Sequence, residues 1–526
     1  TQGAHLSMRE LRELKNHLIT SLPHHGRQAL SKSLFSVRGV VEGFYGLFYS
    51  HVERNDLIRF LGRHGFNLYV YGPKNDDWHR ERWREPYPDD VMEQFEETIQ
   101  VACDAGVTFC FSLSPGLSIR YSLEEEYETL LAKYSQFSDR GVRAFALLLD
   151  DIRPTFQHEE DSSRYRSYAE AQADLCNRLY AWLQARTQRP NRPLRRTQRE
   201  PTESEPTEGS YTLSMCPTQY HGRPPFGEYL EELGRLLDPA IDVFYTGPDI
   251  CSTTITVKDA EAFGQVLRRP PLIWDNYPVN DMDRHAEMHL GPVRGREASL
   301  YRAVKGMVVN PMNEAEASKI PLLTIRDYLD APHKYDPSES WEMALREIGG
   351  DRSYDALRRF AEHTLTSCLS DQGGERLEQL VGETLRSLRD GDTPSEGSQG
   401  ITTIAPQRGE VCCAKRRNAP ATLHALTNHL ATLLNATFFL KIRLPNLALR
   451  AELAPWIEAL EYWCWMAQRA TRVLYALERG ERDEQSLQRT KELMQWATQH
   501  PKRVAGDVLL PLAEYVIERV EDDNDE

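Results

Sequence analysis

Eight short runs of branched and aromatic residues recur through the first two thirds of the chain, and their spacing limits the fold more than any other feature. They read SVRGVVEGF, FNLYVYGP, VTFCFSLSP, AFALLLDD, YTLSMCP, DVFYTGP, PLIWDN and GMVVNP. Most successive starts lie roughly 30 residues or a little more apart, the length of one strand–helix unit. The runs are apolar at nearly every position, the pattern of parallel strands covered on both faces. Eight of them alternating with helical segments predict a (β/α)8 barrel over residues 36–332. The fourth gap is longer because, near 187–209, it holds TQRPNRPLRRTQREPTESEPTEGS. With almost no apolar residue to bury, that stretch reads as a disordered surface insertion.

The flanks read differently. Residues 1–35 open with TQGAHLSMRELRELKNHL, polar and helical rather than signal-like. Beyond Pro332, segments such as YDALRRFAEHTLTSCL, RLEQLVGETLRSLRDG and PWIEALEYWCWMAQRATRVLYALERG carry apolar residues at three-to-four spacing. They predict an all-α bundle over 333–526, broken by a flexible loop near 390–410 and ending in a frayed acidic EDDNDE. Tyr462, Trp463 and Trp465 read first as core of that bundle, and second as a contact surface for a substrate or a homodimer.

A net charge of -16 argues against a general nucleic-acid binder. No apolar run reaches membrane-spanning length, so no membrane partner is expected. The nine cysteines lack scaffold spacing and read as free thiols of a reducing, cytoplasmic compartment. Cys412-Cys413 has no partnered His or Cys at zinc-finger spacing, and neither a metal nor a cofactor is expected.

Polar residues gather where the apolar runs end, at strand ends that converge on one face of a barrel, where active sites are built. The sharpest case is FALLLDDIRP, in which a core strand finishes in Asp150 and Asp151. A single Asp there reads as a helix cap. Two together raise one another's ionisation cost, which lets one hold a proton while its neighbour stays charged. Consecutive strand residues face opposite ways, so both serve one site only if the backbone turns at that point. Paired acids beside aromatic and amide side chains point to glycoside hydrolysis. Trp274 and Tyr220 offer apolar faces to a sugar ring or a methyl group, while Lys74, Asn276, Asp281 and Asn310 can hydrogen-bond its hydroxyls. Taken singly, Trp274 reads as barrel core, Lys74 as a surface lysine, Gly43 as a strand-end glycine with an unusual backbone angle, and Cys216 as core or pocket.

The runs RGVVEGFYG, YVYGPKNDDWHRERWREPYP, LLLDDI, SMCPTQYHG, FYTGP, PLIWDNYPVNDMD, LGPVRGR and VVNPMNEAEAS, in this order, together resemble glycoside hydrolase family 84. These are the β-N-acetylglucosaminidases that include the O-GlcNAc hydrolases. The resemblance implies retaining, substrate-assisted catalysis, in which the substrate's acetamido oxygen attacks the anomeric carbon and gives an oxazoline. It implies that Asp150 holds the acetamido N–H and that Asp151 is the general acid. Tyr220, Trp274, Cys216 and Thr246 would frame the acetamido pocket, Asn276 would support it, and Gly43, Lys74, Asp281 and Asn310 would grip the sugar hydroxyls. The leading expectation is therefore an exo-enzyme that removes O-linked GlcNAc from Ser or Thr of proteins. Alternatives are a hexosaminidase or hyaluronidase-like enzyme acting on GlcNAc-containing glycans, and a non-catalytic module that binds GlcNAc-proteins.

Overall fold

The computed structural model describes residues 33–187, 210–370, 373–392 and 421–525. The N-terminal helical segment, the insertion near 187–209, the loop near 390–410 and Cys412-Cys413 lie wholly or mostly outside these residues. Each of the eight apolar runs forms a strand: β1 Val37–Glu42, β2 Leu68–Tyr71, β3 Thr108–Leu113, β4 Ala144–Leu148, β5 Thr212–Cys216, β6 Asp242–Tyr245, β7 Leu272–Asp275 and β8 Gly306–Val309. They close in sequence order into one barrel. All pairings are parallel, and β8 returns to β1 with Val37 opposite Gly306. Inward-facing Val41, Val70, Cys110, Ala144, Ala146, Leu148, Phe244, Leu272 and Val308 form a continuous buried cluster with Cys216, Tyr220 and Trp274. The apolar core thus runs directly into the strand ends that carry the polar motifs.

Helices follow every strand but one. The helix His51–Arg63 after β1 begins with a capping box. Ser50 Oγ accepts from the Glu53 N–H at 3.3 Å, and the Ser50 N–H donates to Glu53 Oε2 at 2.7 Å. Between β7 and β8 there is no α-helix, only the 3₁₀ turns Met282–Arg284 and Leu300–Arg302, which departs from the expected alternation. The reason is local: Pro278, Gly291, Pro292 and Gly295 interrupt this stretch before a helix can propagate. Side chains hold it instead. Tyr277 Oη donates to the Gly291 carbonyl at 2.6 Å, and Arg296 Nε donates to Asp275 Oδ2 at 2.7 Å.

The chain divides into two compact units. The first holds the barrel, residues through Gly350, together with Thr366–Asp371 and Asn446–Glu452. The second, Asp351–Leu365, Gln372–Pro445 and Leu453–Glu526, is helical. Its helix Ala421–Arg443 buries Leu423, Leu426, Leu430 and Leu433 along one stripe. Of the three bundle aromatics, Trp463 is buried, whereas Trp465 is 41% exposed. The last helix, Gly506–Asp525, extends into the acidic end that was expected to fray, as far as the described residues reach. Among the described residues no helix is long and apolar enough to cross a membrane.

Candidate active site

Strand β4 lifts the acid pair to the open end of the barrel, and the backbone then reverses at Asp151, whose φ is +54°. Asp is one of the few non-glycine residues that tolerate this left-handed region. That turn is the feature both acids need to face one site.

The two carboxylates meet different surroundings. Asp150 is only 5% exposed, and its Oδ2 accepts from the ammonium of Lys74, itself buried. Its other oxygen, Oδ1, is buried and has no hydrogen-bond partner among the described residues. A buried carboxylate oxygen with no donor is costly, and it marks a place where a donor is wanted. Asp151 is exposed and accepts two phenol hydroxyls at 2.8 Å, Tyr45 Oη on Oδ2 and Tyr220 Oη on Oδ1. Arg80 backs this arrangement, donating to Tyr45 Oη at 3.1 Å and to the Asp151 carbonyl at 3.3 Å. Partial burial pushes the Asp151 carboxyl up. The Lys74 charge, the Tyr220 and Tyr45 hydroxyls and Arg80 together outweigh that push and hold it below the usual aspartate range. The same negative charge adds to burial in raising both tyrosines, which stay neutral donors.

A second group forms the floor. Trp274, at the end of β7, donates from Nε1 to Asn276 Oδ1 at 2.9 Å, and Asn310 Nδ2 donates to the same oxygen at 3.0 Å. Asn310 Oδ1 accepts the Gly43 N–H at 3.2 Å, while Asn276 Nδ2 donates to the Ile250 carbonyl at 2.8 Å. One chain of hydrogen bonds therefore ties the ends of β1, β7 and β8 to the loop after β6. The indole stands edge-on to Phe244 with centroids 5.3 Å apart, and the Lys74 ammonium lies 5.9 Å from its ring centre. Gly43 is required by proximity rather than backbone angle, because a Cβ there would lie 2.3 Å from Trp274 Cζ2.

The structure thus brings Asp150, Asp151, Lys74, Tyr220, Cys216, Trp274, Asn276, Asn310 and Gly43 together. Lys74 donates to Asp150 Oδ2, which uses one of the three hydrogens of its ammonium. Thr246 sits at the margin: its N–H donates to the Tyr220 carbonyl at 3.0 Å and its hydroxyl to the Asp249 carbonyl at 2.9 Å. Asp281 acts one step away, with Oδ2 accepting the Tyr45 N–H at 2.7 Å. Burial, reinforced by the Asp151 charge, raises its carboxyl although the Tyr45 N–H pulls the other way. Tyr45 and Arg80 were not among the expected site residues. Both lie inside quoted motifs, RGVVEGFYG and NDDWHRERW, but no periodicity or spacing singles them out. Among the described residues no group of three or more His, Cys, Asp or Glu could hold a metal ion.

Residues 38–362 match the family model described as NAGidase, beta-N-acetylglucosaminidase. Over 292 residues the chain is 36% identical to the Protein O-GlcNAcase of Rattus norvegicus and to that of Mus musculus. Those matches cover 55% of this chain and 29% of each relative, so the chain spans well under half of the curated relatives' length. A solved O-GlcNAc hydrolase mutant from Thermobaculum terrenum is 32% identical, with a TM-score of 0.78, covering 92% of this chain and 94% of that one.

Proposed function

The chain belongs to the β-N-acetylglucosaminidases of glycoside hydrolase family 84, and from that premise we propose that it is a retaining exo-enzyme releasing O-linked GlcNAc from Ser or Thr of proteins. The observation that carries the proposal is the unpartnered Asp150 Oδ1, buried beside an acid turned into the same site. A GlcNAc lying along the Trp274 face presents its acetamido N–H to this oxygen. The Lys74 ammonium holds the Asp150 carboxyl in place, so accepting that N–H pushes electron density onto the amide oxygen. The amide oxygen attacks the anomeric carbon, and the glycosidic C–O bond breaks as Asp151 gives a proton to the departing oxygen. The resulting oxazoline keeps the sugar on the enzyme. Asp151, now ionised, takes a proton from water, which attacks from the leaving-group side and restores the original configuration. Holding the internal nucleophile in place removes much of the entropic cost of the first step.

A low Asp151 pKa in the free site is at odds with an acid that must carry a proton, and substrate binding supplies the correction. The sugar desolvates Asp151, and the glycosidic oxygen, which can only accept, hydrogen-bonds to its protonated form. Both changes raise the carboxyl. A protein substrate and a cytoplasmic setting belong to the same proposal, in keeping with the free thiols of Cys103, Cys110, Cys176, Cys216, Cys251, Cys368 and Cys464.

Release of GlcNAc from a GlcNAc-modified peptide is expected to exceed release from chitobiose. The opposite preference would replace the protein substrate with a glycan. In Asp150→Asn, turnover is expected to fall and its sensitivity to fluorination of the substrate acetyl group to change. A variant with the parent's sensitivity would remove Asp150 from the amide step.

A further inference from the structure

Two thiols converge on the backbone of the pocket floor. Cys251 Sγ lies 3.5 Å from the Asn276 carbonyl oxygen and Cys368 Sγ 3.9 Å from the same atom. The two thiols are close enough for each to shift the other's titration. They come from segments far apart in sequence, and each segment is pinned. In the loop after β6, Ser252 Oγ donates to the Thr246 carbonyl at 2.9 Å and accepts the Asp249 N–H at 3.0 Å. Next to it, Thr253 Oγ1 donates to the Cys368 carbonyl at 2.9 Å, which ties the second cysteine's segment to the first. Both cysteines are half-buried.

The surroundings of the two sulfurs are unequal. The charges of Arg296 and Arg284 act on Cys368, and Asp275, which opposes them, is itself paired to Arg296. The Cys251 thiol hydrogen bond, aided by these guanidiniums and opposed by burial and by Asp275, brings the Cys368 thiol down to about 6. Cys251 is pushed up by the same hydrogen bond and by burial, and remains a protonated donor. A thiolate with a neutral thiol in contact is the arrangement of a nucleophilic cysteine and its resolving partner.

We propose that Cys251 and Cys368 are a hydroperoxide-reactive dithiol whose oxidation to a disulfide slows hydrolysis at the adjoining site. The effect on turnover rests on the functional reading above; the disulfide chemistry does not. Hydrogen peroxide is the oxidant. The Cys368 thiolate attacks one peroxide oxygen, an S–O bond forms, the O–O bond breaks, and hydroxide leaves and is protonated to water. Cys251 sulfur then attacks the sulfenic sulfur, the S–S bond forms, and the S–O bond breaks. The departing hydroxide takes the Cys251 proton as a second water. Two thiols are oxidised, and one peroxide is reduced to two waters.

The structural consequence follows from the contacts. Closing to an S–S bond of about 2.05 Å draws the two segments together and removes the Cys251 S–H donor from the Asn276 carbonyl. Ile250, the neighbour of Cys251, also accepts from the Asn276 side chain at 2.8 Å. A shift there reaches the oxygen on which Trp274 and Asn310 converge.

The test treats the full chain with hydrogen peroxide, alkylates the remaining thiols and digests without reduction. It also follows turnover of an aryl β-GlcNAc. The expected result is a Cys251–Cys368 linked peptide, with kcat/KM falling by about tenfold, the order set by loss of one hydrogen bond in a positioned site, and recovering with dithiothreitol. Cys251→Ser and Cys368→Ser should keep the parent's activity in the reduced state and resist peroxide. Absence of the linked peptide would overturn the proposal, as would a linked peptide with unchanged turnover. Peroxide loss that persists in both serine variants would move the oxidation to Cys216 and overturn it too. If the reduced chain hydrolyses nothing, the functional reading and the turnover half of this proposal fall together, while the peptide map still judges the dithiol.

Discussion

At the scale of single residues, the two acids differ by what touches them rather than by what they are. Asp150 is buried with a lysine on one oxygen and nothing on the other, whereas Asp151 is exposed beneath two phenols. Removing one phenol has a defined sign. Tyr45 stabilises the Asp151 carboxylate, so Tyr45→Phe lets the carboxyl keep its proton to higher pH. The alkaline limb of kcat for a poor leaving group, which reports the acid in the substrate complex, should then move up by roughly half a unit to one unit, the equivalent of one hydrogen bond. A pH–rate profile with an unmoved or lowered limb would show that the phenol does not set the acid. The acid pair was visible in the sequence because charge at the end of an apolar run is conspicuous. The positive φ at Asp151, the burial of Lys74 and the approach of Tyr45 were not visible. The last two depend on where β1 and β2 deliver side chains, Tyr45 lying 106 residues from Asp151 and Lys74 lying 76 from Asp150.

At the scale of elements, the barrel was legible because parallel strands buried on both faces write themselves as unbroken apolar runs. The β7–β8 excursion was not, since a stretch without period can be a loop or a poor helix until tertiary contacts decide. Its shape depends on the buried Arg296–Asp275 pair, with both side chains 1% exposed. Removing one partner of such a pair strands the other charge. Arg296→Leu should therefore lower unfolding stability by about 3–5 kcal/mol, read as a drop in denaturant midpoint with little change in slope. A variant as stable as the parent would mean that the excursion is held by its other hydrogen bonds. Gly43 carries a similar lesson. A strand-end glycine suggested backbone freedom, but the structure gives steric room for Trp274 as the reason.

At the scale of the whole molecule, the helical unit has its own pH signature. His363 is buried, and burial first, with His429 second, brings its imidazole down to about 4. The unfolded chain then binds a proton more readily than the folded one. The stabilising contribution is complete above the ordinary histidine value of about 6.5 and is lost as pH falls toward 4. Acidification to pH 5 should cost about 2 kcal/mol from this group. His363→Gln should flatten the loss of denaturant midpoint between pH 7 and 5, and an unchanged slope would assign that loss to other groups. The central claim is narrower than the fold: Asp151 moves the proton while the substrate supplies the nucleophile. It is tested most directly by comparing Asp151→Asn with the parent across aryl β-GlcNAc substrates of graded leaving-group ability. The account predicts a loss of about 10²–10⁴ in kcat/KM with the poorest leaving groups, shrinking toward none with the most activated ones. An equal loss across the series would contradict it.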